Sequence, residues 1–211
     1  MNDREHIKSE LLERKISAII RTDNQKVAEQ AMQAAVDGGF RVVEFTLTTP
    51  GSLNLITQFR ENDDLIVGAG TVMSPTIVQE AVEAGAQFLV SPVCNLDVIQ
   101  EAEKLDVVSI PGTFTATEME TAHRAGADFV KLFPAPANVA EYIRFILAPL
   151  PYLKIFPTSG VNLDNMLDVL QAGAAGTGFV RPLFDSEMIR NKNYDGIRQR
   201  AEAIVERLAS L

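Results

Sequence analysis

Lys131 stands inside the run GADFVKLFPAP (126–136), flanked by Phe129, Val130, Leu132 and Phe133. A lysine is almost never fully buried without a partner, so an ammonium group in such a run asks for a chemical reason. Desolvation disfavours the charged form, and an amine held there gives up its proton more readily. A neutral amine on a strand can attack a ketone and form a Schiff base. Glu44 raises the same question in RVVEFTL (41–47), where a carboxylate interrupts an apolar stretch. Imine chemistry needs protons moved at the carbinolamine, the imine and the α-carbon, and a neighbouring carboxyl group can move them. Two plainer readings stay open on these residues alone. Lys131 could snorkel to solvent at a rim, or Glu44 could form a simple ion pair with Lys131 or Arg21.

The elements that must position this pair announce themselves by a repeat. Four segments rhyme: AVDGGFRVVEFT from Ala35, AVEAGAQFLVSP from Ala81, AHRAGADFVKLFP from Ala122 and LQAGAAGTGF from Leu170. Each is a helix tail of small residues, a glycine that can take the left-handed conformation beyond a helix, and an apolar run of the buried parallel type. Between them lie KISAIIR (15–21), LIVGAG (65–70), DVVSIPG (106–112) and LKIFPTSG (153–160). These make eight expected strands. The expected helices follow at 24–38, 50–60, 74–84, 95–104, 115–125, 138–148, 162–172 and 186–209. The pattern is that of an α/β protein, a single (β/α)8 TIM barrel over 1–211, with an extra amphipathic helix over 1–14 packed on the barrel. An open doubly wound sheet usually carries a Gly-rich turn after its first strand, and none follows Arg21.

A barrel concentrates function at the C-terminal ends of its strands. Those ends carry Arg21, Glu44 and Thr46, Thr71, Pro92, Thr113, Lys131 and Phe133, Thr158 to Gly160, and Gly178 to Arg181. The totals exclude other classes. A net charge of −9 argues against binding to a nucleic acid backbone. One cysteine, Cys94, allows no internal disulfide, so a reducing, cytoplasmic compartment is expected. The charged N-terminus lacks the apolar core of a signal peptide, and no run reaches a membrane span's length, so no membrane role is expected. His6 and His123 have no metal-ligand spacing, so no metal site is expected, and because an imine on Lys131 would itself supply the electrophile, no metal or organic cofactor is expected. Cys94 has no histidine in a nearby motif to activate it.

The strings GGFRVVEFTLTTP, VGAGTVMSP, AGAQFLVSPV, IPGTFTATE, GADFVKLFPA and FPTSGVNLDN follow, in order and spacing, the pattern of the KDPG/KHG aldolases. The chain resembles that family over nearly its whole length. The resemblance implies a class I aldolase that cleaves 2-keto-3-deoxy-6-phosphogluconate or 4-hydroxy-2-oxoglutarate to pyruvate and an aldehyde. It implies Lys131 as the Schiff-base lysine and Glu44 as the general acid/base. Thr71, Pro92 and Phe133 would shape the pyruvate pocket with Thr158 beside them, and Arg21 would hold the substrate carboxylate. It also implies a homotrimer acting on a small 2-oxo acid.

Two departures from that pattern bear on the substrate. Thr48 stands where many members have an arginine that contacts it. At the phosphate end, Thr158-Ser159-Gly160 replaces a Thr-Gly-Gly stretch, while Val180 and Arg181 stand where Gly and Ser do. Val180 closes a backbone approach to phosphate oxygens. Arg181 offers a bidentate fork to phosphate or carboxylate, or else it turns away from the pocket. An oxaloacetate decarboxylase or a non-phosphorylated 2-oxo acid aldolase would use the same imine. A barrel without turnover that only binds a 2-oxo acid or phosphate is the competitor of another class, and it has little need of both Lys131 and Glu44.

Overall fold

The repeated glycines do at the helix ends what their spacing predicts. Gly39, Gly85, Gly126 and Gly173 all adopt φ between 99 and 105°, a region open to glycine at no steric cost. The residue after each donates its N–H five residues back: Phe40 to Ala35, Ala86 to Ala81, Ala127 to Ala122, and Ala174 to Val169. This is the Schellman closure, which satisfies an orphan carbonyl and turns the chain toward its next strand. A fifth copy was invisible in the sequence. Val107 donates to Ala102 in the same way, with Asp106 (φ 55°) in the glycine's place.

The computed structural model describes residues 3–211. Helix α1 (Asp3–Arg14) precedes β1 (Ile16–Ile20), and α2 (Gln25–Asp37), β2 (Val42–Thr46), α3 (Ser52–Phe59), β3 (Ile66–Gly70) and α4 (Pro75–Glu83) follow. Next come β4 (Phe88–Val90), α5 (Leu96–Lys104), β5 (Val108–Ile110), β6 (Gly112–Thr113), α6 (Ala116–Arg124), β7 (Val130–Leu132) and α7 (Val139–Leu147). The chain ends with β8 (Ile155–Pro157), α8 (Met166–Gln171), β9 (Thr177–Phe179), α9 (Ser186–Arg190) and α10 (Tyr194–Leu208). All pairings are parallel, in a six-stranded sheet ordered β5-β4-β3-β2-β1-β9 and a three-stranded one ordered β6-β7-β8. A bridge between Thr158 and Gly178 links β8 to β9.

Three boundaries differ from expectation, each for a local reason. The fifth strand divides at Pro111, which cannot donate to a ladder. The eighth helix begins at Met166 because Asn162 and Asn165 tie the preceding loop into its own turn. The last expected helix breaks between α9 and α10, where Lys192 takes φ 52°. The N-terminal helix is present from Asp3, and residues 1 and 2 of that expectation lie outside the described part.

Alternation along the strands divides the apolar residues into two cores. Ile16, Ala18 and Ile20 of β1, Val43 and Phe45 of β2, Val67 and Ala69 of β3, and Val130 and Leu132 of β7 pack outward against the helices. The opposite faces contribute Val42, Ile66, Phe88, Val90, Val108, Ile110, Phe129 and Phe156 to an inner core that Ile7 and Leu11 of α1 complete. On those inner faces, two residues apart from an apolar neighbour, sit Glu44 and Lys131. The helix α1 therefore closes the inner core at the N-terminal ends of the strands.

Asp128, just before β7, fastens α1 in place. Its carboxylate accepts from Arg4 Nη2 at 2.8 Å and from the backbone N–H of Ser109 at 3.0 Å, and it faces Lys8 Nζ at 3.4 Å. Arg4 also donates to the carbonyl of Gly126. Asp128→Ala would strand two cations and a buried donor at once. It should lower stability by about 2–3 kcal/mol, read as a lower urea midpoint with an unchanged slope. A midpoint equal to that of the unaltered chain would show that α1 is held by its apolar face alone.

Candidate active site

A cavity of about 690 Å³ opens at the C-terminal ends of the strands. Lys131 enters it from β7 and Glu44 from β2, with Phe133 and Thr46 one pleat further out on the same strand faces. Arg21 reaches it just after β1, Thr71 after β3, Pro92 after β4, Thr158, Ser159 and Gly160 after β8, and Arg181 after β9. The structure thus gathers the expected site residues into one space, with one exception. The turn at Thr46–Thr49, closed by Thr49 N–H to Thr46 O, swings Thr48 to the surface. Thr48 is outside the cavity and meets it only through a 3.2 Å contact between its hydroxyl and that of Thr46.

Lys131 is 8% exposed and Glu44 2%. Burial pushes the Lys131 amine below its ordinary range; Glu44 pulls it back up, and Arg21 presses it down again. Burial likewise pushes the Glu44 carboxyl above its ordinary range, against the attraction of Lys131 and Arg21. Desolvation is the larger effect on both, so both groups lean toward their neutral forms. The Nζ of Lys131 lies 4.9 Å from the centroid of the Phe133 ring, close enough for the ring face to favour whatever positive charge forms on that nitrogen.

The close approach of β3 makes room for the carboxyl group. A Cβ on Gly70 would run into Oε1 of Glu44, so only glycine fits opposite it. At the rim, Arg21 Nη2 donates to Thr71 Oγ1 at 3.2 Å. Thr71 and Ser159 hold φ of 64° and 66°. For a β-branched residue such as Thr71 that conformation is strained, and such strain concentrates at functional sites.

The far side of the cavity has a different character. Ser159 and Gly160 are consecutive left-handed residues, and the N–H groups of Gly160 and Val161 find no acceptor among the described residues. Arg181 is exposed and, among the described residues, makes no ion pair or side-chain hydrogen bond. Val161, Val180, Pro182, Phe184, Ser186 and Ile189 line the same end. The sequence reading missed Ser186 and Ile189 because it joined α9 to α10. It also passed over Ile19, although Ile19 shares its strand face with Arg21 two residues on. Cys94 is not among the lining residues, and burial pushes its thiol up, away from a nucleophile's range. Among the described residues no cluster of three His, Cys, Asp or Glu could hold a metal ion.

A parallel α/β fold with a buried amine and a buried carboxyl group lining one cavity has the groups that imine chemistry requires. The family model described as KDPG and KHG aldolase matches residues 7–200. Curated relatives include the 2-dehydro-3-deoxy-6-phosphogalactonate aldolase of Escherichia coli K12, 34% identical over 170 residues, which are 79% of this chain and 83% of that one. The KHG/KDPG aldolase of the same organism is 32% identical over 179 residues, 82% and 83% of the two chains. Among solved structures, the KDPG aldolase of Legionella pneumophila, with pyruvate captured at low pH as a covalent carbinolamine intermediate, superposes with a TM-score of 0.81 at 27% identity, covering 90% of this chain and 93% of that one. The chain belongs to the KDPG/KHG aldolase family and is an aldolase.

The fit of Glu44 against Gly70 is directly testable. Gly70→Ala would push the carboxyl group off its place against β3 and out into the cavity. Turnover should fall about 10²-fold, the share one positioned proton carrier supplies, while overpacking costs only about 1–3 kcal/mol of stability. A folded variant with near-normal turnover would mean that the position of Glu44 does not limit the reaction.

Proposed function

We propose that this aldolase works through an imine on Lys131, with Glu44 moving the protons. The observation that carries this reading is that the two groups are buried in one cavity and that burial draws both toward neutrality. The neutral amine of Lys131 attacks the carbonyl carbon of a 2-oxo acid. The carboxyl group of Glu44 gives its proton to the carbinolamine hydroxyl, and water leaves. The carboxylate then takes the proton from the hydroxyl next to the scissile bond. That carbon–carbon bond breaks, its electrons enter the cationic imine, and an aldehyde departs from the enamine. Glu44 returns the proton to the enamine carbon, and hydrolysis releases pyruvate and restores Lys131.

In this reading Arg21 anchors the carboxylate next to the imine, while Thr71, Pro92, Phe133 and Thr158 enclose the pyruvyl portion. The unpaired N–H groups of Gly160 and Val161, with the Arg181 fork, receive a second anion at the far end of the substrate. That fits the phosphorylated 2-keto-3-deoxy sugar acids and the 4-hydroxy-2-oxoglutarate for which the relatives are named. Because a guanidinium takes a carboxylate as well as a phosphate, the exposed Arg181 also favours dicarboxylates, oxaloacetate decarboxylation through the same imine included. We further read the two sheets as one closed (β/α)8 barrel. The Thr158–Gly178 bridge supports one seam, and the continuity of β5 and β6 through Pro111 supports the other. A homotrimer, as the family resemblance implies, would cover apolar surface such as Phe114 and Phe145, which are 41% and 69% exposed. A cytoplasmic location agrees with the single cysteine, and no helix among the described residues is long and apolar enough to cross a membrane.

Pyruvate with borohydride tests the core of the proposal. One reduced pyruvyl group should appear on Lys131, located by peptide mapping. Its pH dependence follows from the two shifts. The Lys131 pKa is lowered, so the reactive neutral amine appears below the ordinary lysine range. The Glu44 pKa is raised, so the acid needed for dehydration survives above the ordinary carboxyl range. Trapping should therefore follow a bell whose two limbs are both displaced toward neutral pH. An adduct on another lysine, or turnover with no adduct at all, would defeat the mechanism.

The far end makes its own prediction. Arg181→Ala should lower kcat/KM about ten- to a hundredfold for substrates with a distal phosphate or carboxylate. The exchange of pyruvate methyl protons, which involves no distal anion, should stay the same. A strong wild-type preference for the phosphorylated sugar acid, unchanged in the variant, would show that Arg181 faces away from bound substrate.

A further inference from the structure

Beneath the acid/base pair the interior narrows to a second void of about 10 Å³, the space of one water-sized probe. Ser17 lines it from β1. Its neighbours Ile16, Ala18 and Ile20 pack outward among the helices, so strand alternation turns Ser17 inward, beside Gly178 of β9 in the register. Ser17 is 3% exposed, and its Oγ finds no hydrogen-bond partner among the described residues. A buried hydroxyl without a partner is costly and uncommon in native proteins. The other polar residues around the void are Glu44, Lys131 and Thr158. Leu11 of α1 closes it on the far side, with Phe88 and Phe156 among its apolar walls. A site of this size with a free hydroxyl and two ionisable groups satisfies the conditions for an ordered internal water, which needs two to four polar partners.

We infer that Ser17 seats a single water molecule beneath Glu44 and Lys131, and that Ser17 is thereby a positioning residue for the Glu44 carboxyl. The inference rests on the proposed roles of Lys131 and Glu44. The Ser17 hydroxyl donates to the water, and the water donates one of its hydrogens to a carboxyl oxygen. That bond fixes the orientation of a side chain otherwise set by Gly70, its apolar surroundings and the attraction of Lys131 and Arg21. It also favours the ionised carboxylate, which opposes the upward push of burial on Glu44. The charged and titratable groups facing the site are few. Glu44 comes from β2 and Lys131 from β7, with Arg21 acting on both from the rim. The remaining elements around the void contribute only apolar side chains and Thr158.

The test uses the whole chain, pyruvate as probe, and exchange of its methyl protons in D2O followed against pH. In Ser17→Ala the carboxylate loses its support, the Glu44 pKa rises, and the basic form needed for exchange appears only at higher pH. The low-pH limb of the exchange profile should move up by about one unit, a roughly tenfold slower exchange on that limb. Ser17→Val, whose methyl groups fill the void, should shift the limb at least as far, and a high-resolution crystal structure of the unaltered chain should show a water within hydrogen-bond distance of Ser17 Oγ and Glu44. If Ser17 were a mere orphan, Ser17→Ala would raise the melting temperature and leave the profile in place. That outcome overturns the inference, and so does an empty void in the crystal. Should Ser17→Val fail to fold, Ser17→Ala decides alone. Failure of the underlying mechanism is distinguishable, because the unaltered chain would then show neither exchange nor borohydride trapping.

Discussion

Two ionisable groups buried within one apolar interior set the terms for everything around them. Each loses hydration, and a protein interior restores only part of it through Coulomb attraction. Lys131 and Glu44 reduce that cost by leaning toward their neutral forms. The same lean is what the proposed mechanism draws on, since an unprotonated amine is a nucleophile and a protonated carboxyl group is an acid. Such an arrangement is sustainable only where neighbouring elements leave no easier conformation. The strands provide that, because a side chain on a pleated surface cannot change faces without shifting the register of the whole strand.

The division of labour between the two cores follows from this constraint. The outer core, between strands and helices, is a continuous apolar layer that holds the strands in register. The inner core fills the space below the pair with Phe88, Phe129 and Phe156 and is closed by Ile7 and Leu11. Large aromatic rings below a buried amine prevent collapse of the site and leave no more than a water-sized void there. Glycines on β3 make that filling possible, since a Cβ on Gly68 would strike the Phe88 ring and one on Gly70 would strike Glu44. The α1 helix thus supports the chemistry from the opposite end of the strands, anchored by the ion pairs of Asp128.

The cavity joins two kinds of surface with different tolerance for change. Its inner half is built on strand residues, and there Lys131, Glu44 and Thr46 have little freedom. Its outer half is built on the segments after β8 and β9 and on α9, where a change of residue alters the partner for an anion without disturbing the core. This is where Ser159, Val180 and Arg181 depart from the pattern that the resemblance implied, and under the proposed mechanism such a division would let one imine serve substrates with different distal groups.

Much of this was legible in the chain itself. Lys131 and Glu44 stood out because each broke an apolar run, and a buried charge is the strongest local anomaly a sequence can carry. The strand faces followed from a period of two, and four helix ends from glycines whose left-handed role is nearly independent of context. The fifth helix end was not legible, because Asp106 does there what glycine does elsewhere and only the backbone reveals it. Thr48 became a candidate only through the family resemblance, as the residue in an arginine's place, but the hydrogen-bonded turn of the threonines carries it outside. Ser186 and Ile189 reach the cavity only because α9 breaks from α10. Ser17 looked like an ordinary strand residue until the strands around it placed its hydroxyl beneath Glu44 and Lys131. The chain determined which residues were chemically unusual and which face of each strand they occupy, because those properties depend on neighbours in sequence. Which of them share a cavity, and what lies beneath them, was decided by the tertiary structure, because packing brings together strands that are far apart along the chain.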